Sequence, residues 1–228
     1  MVARSRWFLR STGFHVALDG DVVCDVSNIR HLASPPRFLP LRWHNSHVDS
    51  PFPLADKGMP GYDPEVVQEF LERAKRVFEG AEDGLTSADI RHKVFPLVSK
   101  EGFATKDVDE ALWQLEEAFA DKERLSETEA VGEENYYKDV RERAQEILDR
   151  AARPAKLKFR TTSLLRPGYH VGDVDALCDQ VASYFQQNQS LSVSAVRRAL
   201  LRTSLGGYDE AQVDALLDDT ISVMLAVR

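Results

Sequence analysis

An all-α bundle of short amphipathic helices is the fold the sequence predicts, built from four copies of a small repeat arranged as a duplicated pair behind a weakly structured N-terminal arm. Three observations predict it. A Gly-aromatic pair occurs at Gly61-Tyr62, Gly102-Phe103, Gly168-Tyr169 and Gly207-Tyr208. An apolar stripe with helical spacing follows each pair. A further helix-opening signal precedes the second and fourth pairs only, so the copies fall into two halves.

The first fifty residues fit neither a helical nor a strand period over any length. Phe14 to Leu18 and Val22-Val23-Cys24, on either side of Asp19-Gly20-Asp21, could form a short hairpin. Pro35, Pro36, Pro40, Pro51 and Pro53 then read as irregular chain. We therefore expect an irregular arm over 1–50, a first repeat pair over 51–125, a charged helical linker over 126–154 and a second repeat pair over 155–228.

Within each repeat the stripe can be read residue by residue. The positions six, nine, ten, thirteen, sixteen and seventeen after the glycine are Val67, Phe70, Leu71, Ala74, Val77 and Phe78 in the first copy. They are Val108, Ala111, Leu112, Leu115, Ala118 and Phe119 in the second. The third has Val174, Leu177, Cys178, Val181, Tyr184 and Phe185, and the fourth Val213, Leu216, Leu217, Thr220, Val223 and Met224. Only Thr220 is not apolar, so each set makes one face of a helix whose other face is charged.

The Gly-aromatic pair is expected to be the entry turn of each helix: glycine takes a positive φ freely, and the aromatic ring folds over the first helical turn. Asp63-Pro64-Glu65 and Asp209 with Gln212 add helix-start signals. Thr86 with Asp89 opens a short helix carrying Ile90, and Ser192 opens one carrying Val196. At an offset of 106, Ile90, Arg91, Val94 and Phe95 match Val196, Arg197, Leu200 and Leu201, the signature of a duplication. A charged helix from Tyr136 to Ala152 joins the halves and ends at Arg153-Pro154.

Composition excludes several classes. The 228 residues carry 29 Lys+Arg against 37 Asp+Glu, a net charge of -8, which disfavours a general nucleic-acid or anionic-membrane binder. Six Arg and four Asp give residues 1–50 a charge of +2, so the rest carries -10. No apolar run is long enough to span a bilayer and no signal peptide opens the chain, so a cytoplasmic protein is expected. With two cysteines, Cys24 and Cys178, neither a disulfide framework nor a thiolate metal site is expected.

Candidate chemistry is sparse. Asp107/Asp109, Asp173/Asp175 and Asp218/Asp219 are spaced so that the two carboxylates of a pair do not face each other on a helix. They read as first-turn or surface acids. His31, His44 and His47 with Cys24 have zinc-ligand chemistry but no compact ligand spacing. Cys178 falls on an apolar helix position and reads as a small core side chain, not a nucleophile answering to His170. No glycine pattern cradles a phosphate. No catalytic, cofactor or metal residue is predicted. Arg197, Arg198 and Arg202 form a small basic patch that could meet an anionic partner, and Lys156, Lys158 and Arg160 another.

The stretch from Leu85-Thr-Ser-Ala-Asp-Ile through Gly102-Phe to Val108-Asp-Glu-Ala-Leu112 resembles the N-terminal domain of the bacterial DivIVA cell-division proteins. Gly207-Tyr-Asp with Val213-Asp-Ala-Leu, and Gly168-Tyr with Val174-Asp-Ala-Leu, look like the same domain; Gly61-Tyr-Asp is a weaker copy with Gln68 in the Asp place. The resemblance covers 55–228 apart from the linker helix. It implies DivIVA-domain repeats in a protein associated with division, polar growth or envelope organisation, and localisation to the septum or pole through partners.

Two features depart from that family. Where the division proteins carry an exposed Phe-Arg before the glycine that is thought to touch lipid, this chain has Met59-Pro60, Lys100-Glu101, Arg166-Pro167 and Leu205-Gly206. The stripes are also too short for the long coiled coil those proteins continue into. The expectation is thus a non-enzymatic adaptor or scaffold with protein partners from division or the cell wall, without nucleic acid or direct membrane insertion. It should be a monomer or small homo-oligomer. The alternative is a soluble helical regulator or small-ligand binder unrelated to division.

Overall fold

Asp63 opens the first helix as its spacing predicts: its carboxylate accepts the Glu65 and Val66 backbone N–H groups at 3.0 and 3.5 Å, with Pro64 leading. The computed structural model describes residues 51–228. The predicted N-terminal hairpin, Cys24, His31, His44 and His47 lie outside the described residues. The described chain is predominantly helical, with seven helices and four strands of two or three residues. It forms two compact units that part between Ala130 and Val131.

The unit over 51–130 contains β1 (Gly61–Tyr62), α1 (Pro64–Phe78), α2 (Ser87–Arg91), β2 (Leu97–Val98) and α3 (Thr105–Val131), the last residue of α3 lying past the boundary. Val67, Phe70, Ala74 and Val77 of α1 join Ile90, Phe95, Phe103, Val108, Leu112, Leu115 and Phe119 in one core. Leu71 is only partly buried against it. The Thr86 and Asp89 capping box closes as predicted. Lys122 of α3 donates to the Val77 and Phe78 carbonyls at 3.1 and 2.7 Å, placing a cation on the negative end of α1.

The unit over 131–228 contains α4 (Glu133–Ala151), β3 (Pro167–Tyr169), α5 (Val171–Gln187), α6 (Val193–Arg197), β4 (Thr203–Leu205) and α7 (Glu210–Ala226). Val174, Leu177, Cys178, Val181, Tyr184 and Phe185 are buried, as are Val213, Leu216, Val223 and Met224; Leu217 is half-buried. Thr220, the one polar member of the stripes, is fully buried and donates its hydroxyl to the Leu216 carbonyl at 2.7 Å. Its polar group is satisfied inside its own helix.

The segment 126–154 departs from the expected linker. α3 runs on to Val131, and the break falls at Gly132, whose φ of +84° favours glycine. α4 then buries Tyr136, Val140, Ala144, Ile147, Leu148 and Ala151 and packs on α5 and α7. It is a third long helix of the second unit. Its apolar positions recur on one helical face, a pattern obscured in the sequence by abundant charge around it. Lys158, itself buried, donates to the Ala151 carbonyl at the end of α4 and to Asp179. The Tyr136 hydroxyl donates to the Ala226 carbonyl at the other end of the bundle.

Candidate functional site

The Gly-aromatic pairs differ from simple entry turns. They meet two by two as antiparallel strand crossings, one crossing in each unit. In the first unit the Tyr62 N–H donates to the Phe103 carbonyl at 2.9 Å and the Phe103 N–H returns to Tyr62 at 2.8 Å. In the second, Tyr169 and Tyr208 exchange the same two bonds at 2.9 and 2.8 Å. β1 also pairs with β2, and β3 with β4, so each crossing sits on a small sheet at the helix starts.

This crossing explains the glycines, and it corrects the reason expected from the sequence. Gly61, Gly102, Gly168 and Gly207 do not have positive φ. They are required because two backbones pass at contact distance. A Cβ on Gly61 would lie 2.5 Å from the Phe103 carbonyl oxygen, and one on Gly102 would lie 2.6 Å from the Gly61 carbonyl carbon. On Gly168 it would collide with the Tyr208 oxygen, and on Gly207 with the Tyr169 oxygen.

Side chains then tie each crossing across. The residue seven after the glycine faces the aromatic residue of the opposing repeat. Tyr62 donates to Asp109 at 3.1 Å and Tyr208 donates to Asp175 at 3.0 Å, while Asp214, at the matching position, helps raise the Tyr169 hydroxyl. The fourth combination would be Phe103 with Gln68. Phe103 has no hydroxyl to donate, and no carboxylate stands opposite it. The departure at Gln68 is therefore matched by the Phe at the partner position. Burial, with the carboxylate second, raises the Tyr208 hydroxyl to about 12 and also raises Tyr62 and Tyr169. Desolvation likewise pushes the Asp109 carboxyl up, opposed by the Tyr62 hydrogen bond.

Two of the acid pairs, read from the sequence as first-turn or surface acids, thus hold the fold, Asp107 and Asp173 lying in first turns. Asp109 carries the Tyr62 bond; Asp175 is buried and also accepts the Lys156 N–H at 2.9 Å. Asp173 accepts the Arg202 N–H, Nε and Nη2 at 3.1, 2.8 and 2.6 Å, and Arg202 holds its carboxyl well below the usual range. The sequence signal for the Tyr and Asp pairing was the coincidence of hydroxyl and carboxylate between opposite repeats, visible only once the pairing is known.

The basic patch is less uniform than its spacing suggests. α6 ends at Arg197, so Arg202 lies off that helix, before β4, and is fastened to the first turn of α5. Arg197 is half-buried and Arg198 exposed. Lys158 and Arg160 are engaged within the fold, by Asp179 and Asp209 respectively. Cys178 is 2% exposed, and desolvation raises its thiol to about 12, which leaves a neutral side chain fit for packing.

Two surfaces of the second unit remain open. One is a groove of about 440 Å³ between α4 and α7, floored by Ile147, Phe159, Leu216 and Val223 and rimmed by charged residues including Arg143 and Arg150. The other is an apolar tip beside β3 and β4, where Leu164, Leu165 and Leu205 are exposed. Among the described residues, no group of His, Cys, Asp or Glu is placed to hold a metal ion, and no helix is long and apolar enough to cross a membrane. Compared with known proteins, the chain matches no family model, no curated protein and no solved structure.

Proposed function

We propose that the chain is a non-catalytic adaptor or scaffold made of two DivIVA-like repeat pairs, working through protein contacts in bacterial cell division, polar growth or envelope organisation. The crossing of Gly-aromatic pairs carries this reading. Each unit holds one crossing, one short helix between its two members and one long helix after each, as expected of a duplicated repeat pair. The acids that could have served chemistry, Asp109, Asp173 and Asp175, are occupied by Tyr62, Arg202 and Tyr208. The exposed side chains of Leu164, Leu165 and Leu205 offer a surface of the kind that suits partner binding.

A fluorescent fusion in a rod-shaped bacterium tests it, together with affinity capture from the same cells. Enrichment at septum or pole with division or cell-wall proteins captured is the expected result. A uniformly diffuse fusion with no such partners refutes the reading.

A second reading is a helical small-ligand binder. The groove between α4 and α7 favours it, since its volume and apolar floor fall within the range of ligand sites. A ligand screen by thermal shift should then find compounds whose effect disappears in Leu216→Trp, which fills the groove floor.

A further inference from the structure

The groove between α4 and α7 has two unlike ends. The helices run antiparallel, because Tyr136 near the start of α4 bonds to the Ala226 carbonyl at the end of α7. The last turn of α4 and the first turn of α7 therefore share one end, lined by Arg150, Phe159 and Gln212. Arg143 lines the groove two turns earlier on α4, 3.4 Å from Asp139, so its charge is already met.

At the shared end the open polar groups are donors. The Arg150 guanidinium carbon lies 5.8 Å from the centre of the Phe159 ring, and among the described residues no carboxylate is paired with it. Gln212 accepts the Arg160 N–H through its side-chain oxygen at 3.2 Å, which leaves its amide NH2 as the unused group. The acids of the groove, Glu146 and Asp219, are exposed, one turn before Arg150 and two turns beyond Gln212. Leu216 and Val223 carry the apolar floor onward from the Phe159 ring.

We propose that this groove binds an amphiphilic carboxylate, its head held by Arg150 and Gln212 and its hydrocarbon body lying on Phe159, Leu216 and Val223. A planar guanidinium gives a carboxylate two parallel N–H bonds, and the Gln212 amide supplies a third donor. An ammonium head would meet only donors there, and a hydroxyl head would bring no charge. The volume of about 440 Å³ suits a small ligand. This inference rests on the small-ligand reading and adds to it the class of ligand.

An NMR titration of the full chain with octanoate, 1-octanol and octylammonium tests it, since the three probes share one body. Octanoate should bind about tenfold more tightly than 1-octanol, and octylammonium most weakly. Arg150→Gln should bring octanoate to the level of 1-octanol and leave 1-octanol unchanged. Arg153→Gln, which removes an exposed cation outside the groove, should change neither. Leu216→Trp, which fills the floor, should abolish both. Circular dichroism checks that each variant stays folded. Equal affinities for octanoate and 1-octanol, both lost in Leu216→Trp, overturn the carboxylate assignment and leave the small-ligand reading standing. Octanoate binding that survives Leu216→Trp, or that falls as much in Arg153→Gln as in Arg150→Gln, overturns the proposal. So does the failure of all three probes to bind, which counts against the small-ligand reading as well.

Discussion

Replacing Tyr208 by Phe removes one hydroxyl from the centre of the second crossing and leaves the ring in place. The ring is fully buried, stacked edge-on against Phe159 at 5.3 Å between centroids. Its hydroxyl donates to Asp175 at 3.0 Å and accepts the Lys158 N–H at 3.3 Å. The substitution leaves a carboxylate that is 9% exposed without one of its donors, and a buried N–H without its acceptor. A hydrogen bond to a charged group contributes about 1.5 to 3 kcal/mol, and an orphaned buried donor adds to the loss, so the cost should be about 3 kcal/mol. For a unit of roughly a hundred residues that lowers Tm by more than about 10 °C.

The same change elsewhere should cost less, in step with the burial of the acceptor. Asp109 is half-buried, so Tyr62→Phe should cost about 1 to 2 kcal/mol; Asp214 is exposed, so Tyr169→Phe should cost less than about 1 kcal/mol. Urea melts followed by circular dichroism read all three. In a double-mutant cycle with Asp175→Asn, Tyr208→Phe should show strong coupling. Equal costs at the three tyrosines, or no coupling between Tyr208 and Asp175, would refute the view that these pairs lock the crossings.

The close approach at the crossings gives a second prediction. Gly168→Ala should destabilise by several kcal/mol because its methyl meets backbone, whereas Gly132→Ala, at φ +84° in open space, should cost about 1 to 2 kcal/mol; similar melting temperatures would contradict the crossing geometry. The titrations give a third. Tyr208 is raised when folded, so the stability it contributes is present below pH 10 and is lost as pH rises toward 12; Tyr208→Phe should flatten that alkaline loss. Asp173, Asp89, Glu82 and Asp209 are depressed when folded, so their contribution is present above their ordinary values and is lost as pH falls below those toward the lowered folded values. An acid melt of Arg202→Gln should lose less stability between neutral and acid pH than the parent. The buried pair of Arg91 and Glu116, 2.7 Å apart, gives a fourth. Glu116→Ala should cost about 3 to 5 kcal/mol, while Arg91→Leu with Glu116→Leu together should lie near the parent, since the position matching Glu116 in the second unit is a buried Ile221; calorimetry separates the two outcomes.

Helices are the part of this protein that local sequence determines. The apolar stripes after each Gly-aromatic pair and the caps at Asp63, Thr86, Ser192 and Asp209 specify where helices run, because these signals act within one or two turns. The position of α4 was half legible: its helical period is visible from Tyr136 onward, but its charge pointed to a solvated linker until α5 and α7 were seen to cover one face. Arg91 and Glu116 are separated by 25 residues, and nothing local signals that a carboxylate beside the stripe of α3 is buried against a guanidinium.

Pairing, by contrast, was decided by the tertiary structure alone. The sequence shows four glycines each followed by an aromatic residue, and a positive φ is the ordinary explanation for such a glycine. The real cause is the opposing backbone some forty residues away, which a Cβ would strike. The hydroxyl of Tyr208 and the carboxylate of Asp175 likewise have meaning only as partners, 33 residues apart. Short-range torsion and solvation preferences are written along the chain. Which backbone passes which, and which polar group it leaves to be satisfied, depends on contacts between distant residues, and only the folded unit reveals them.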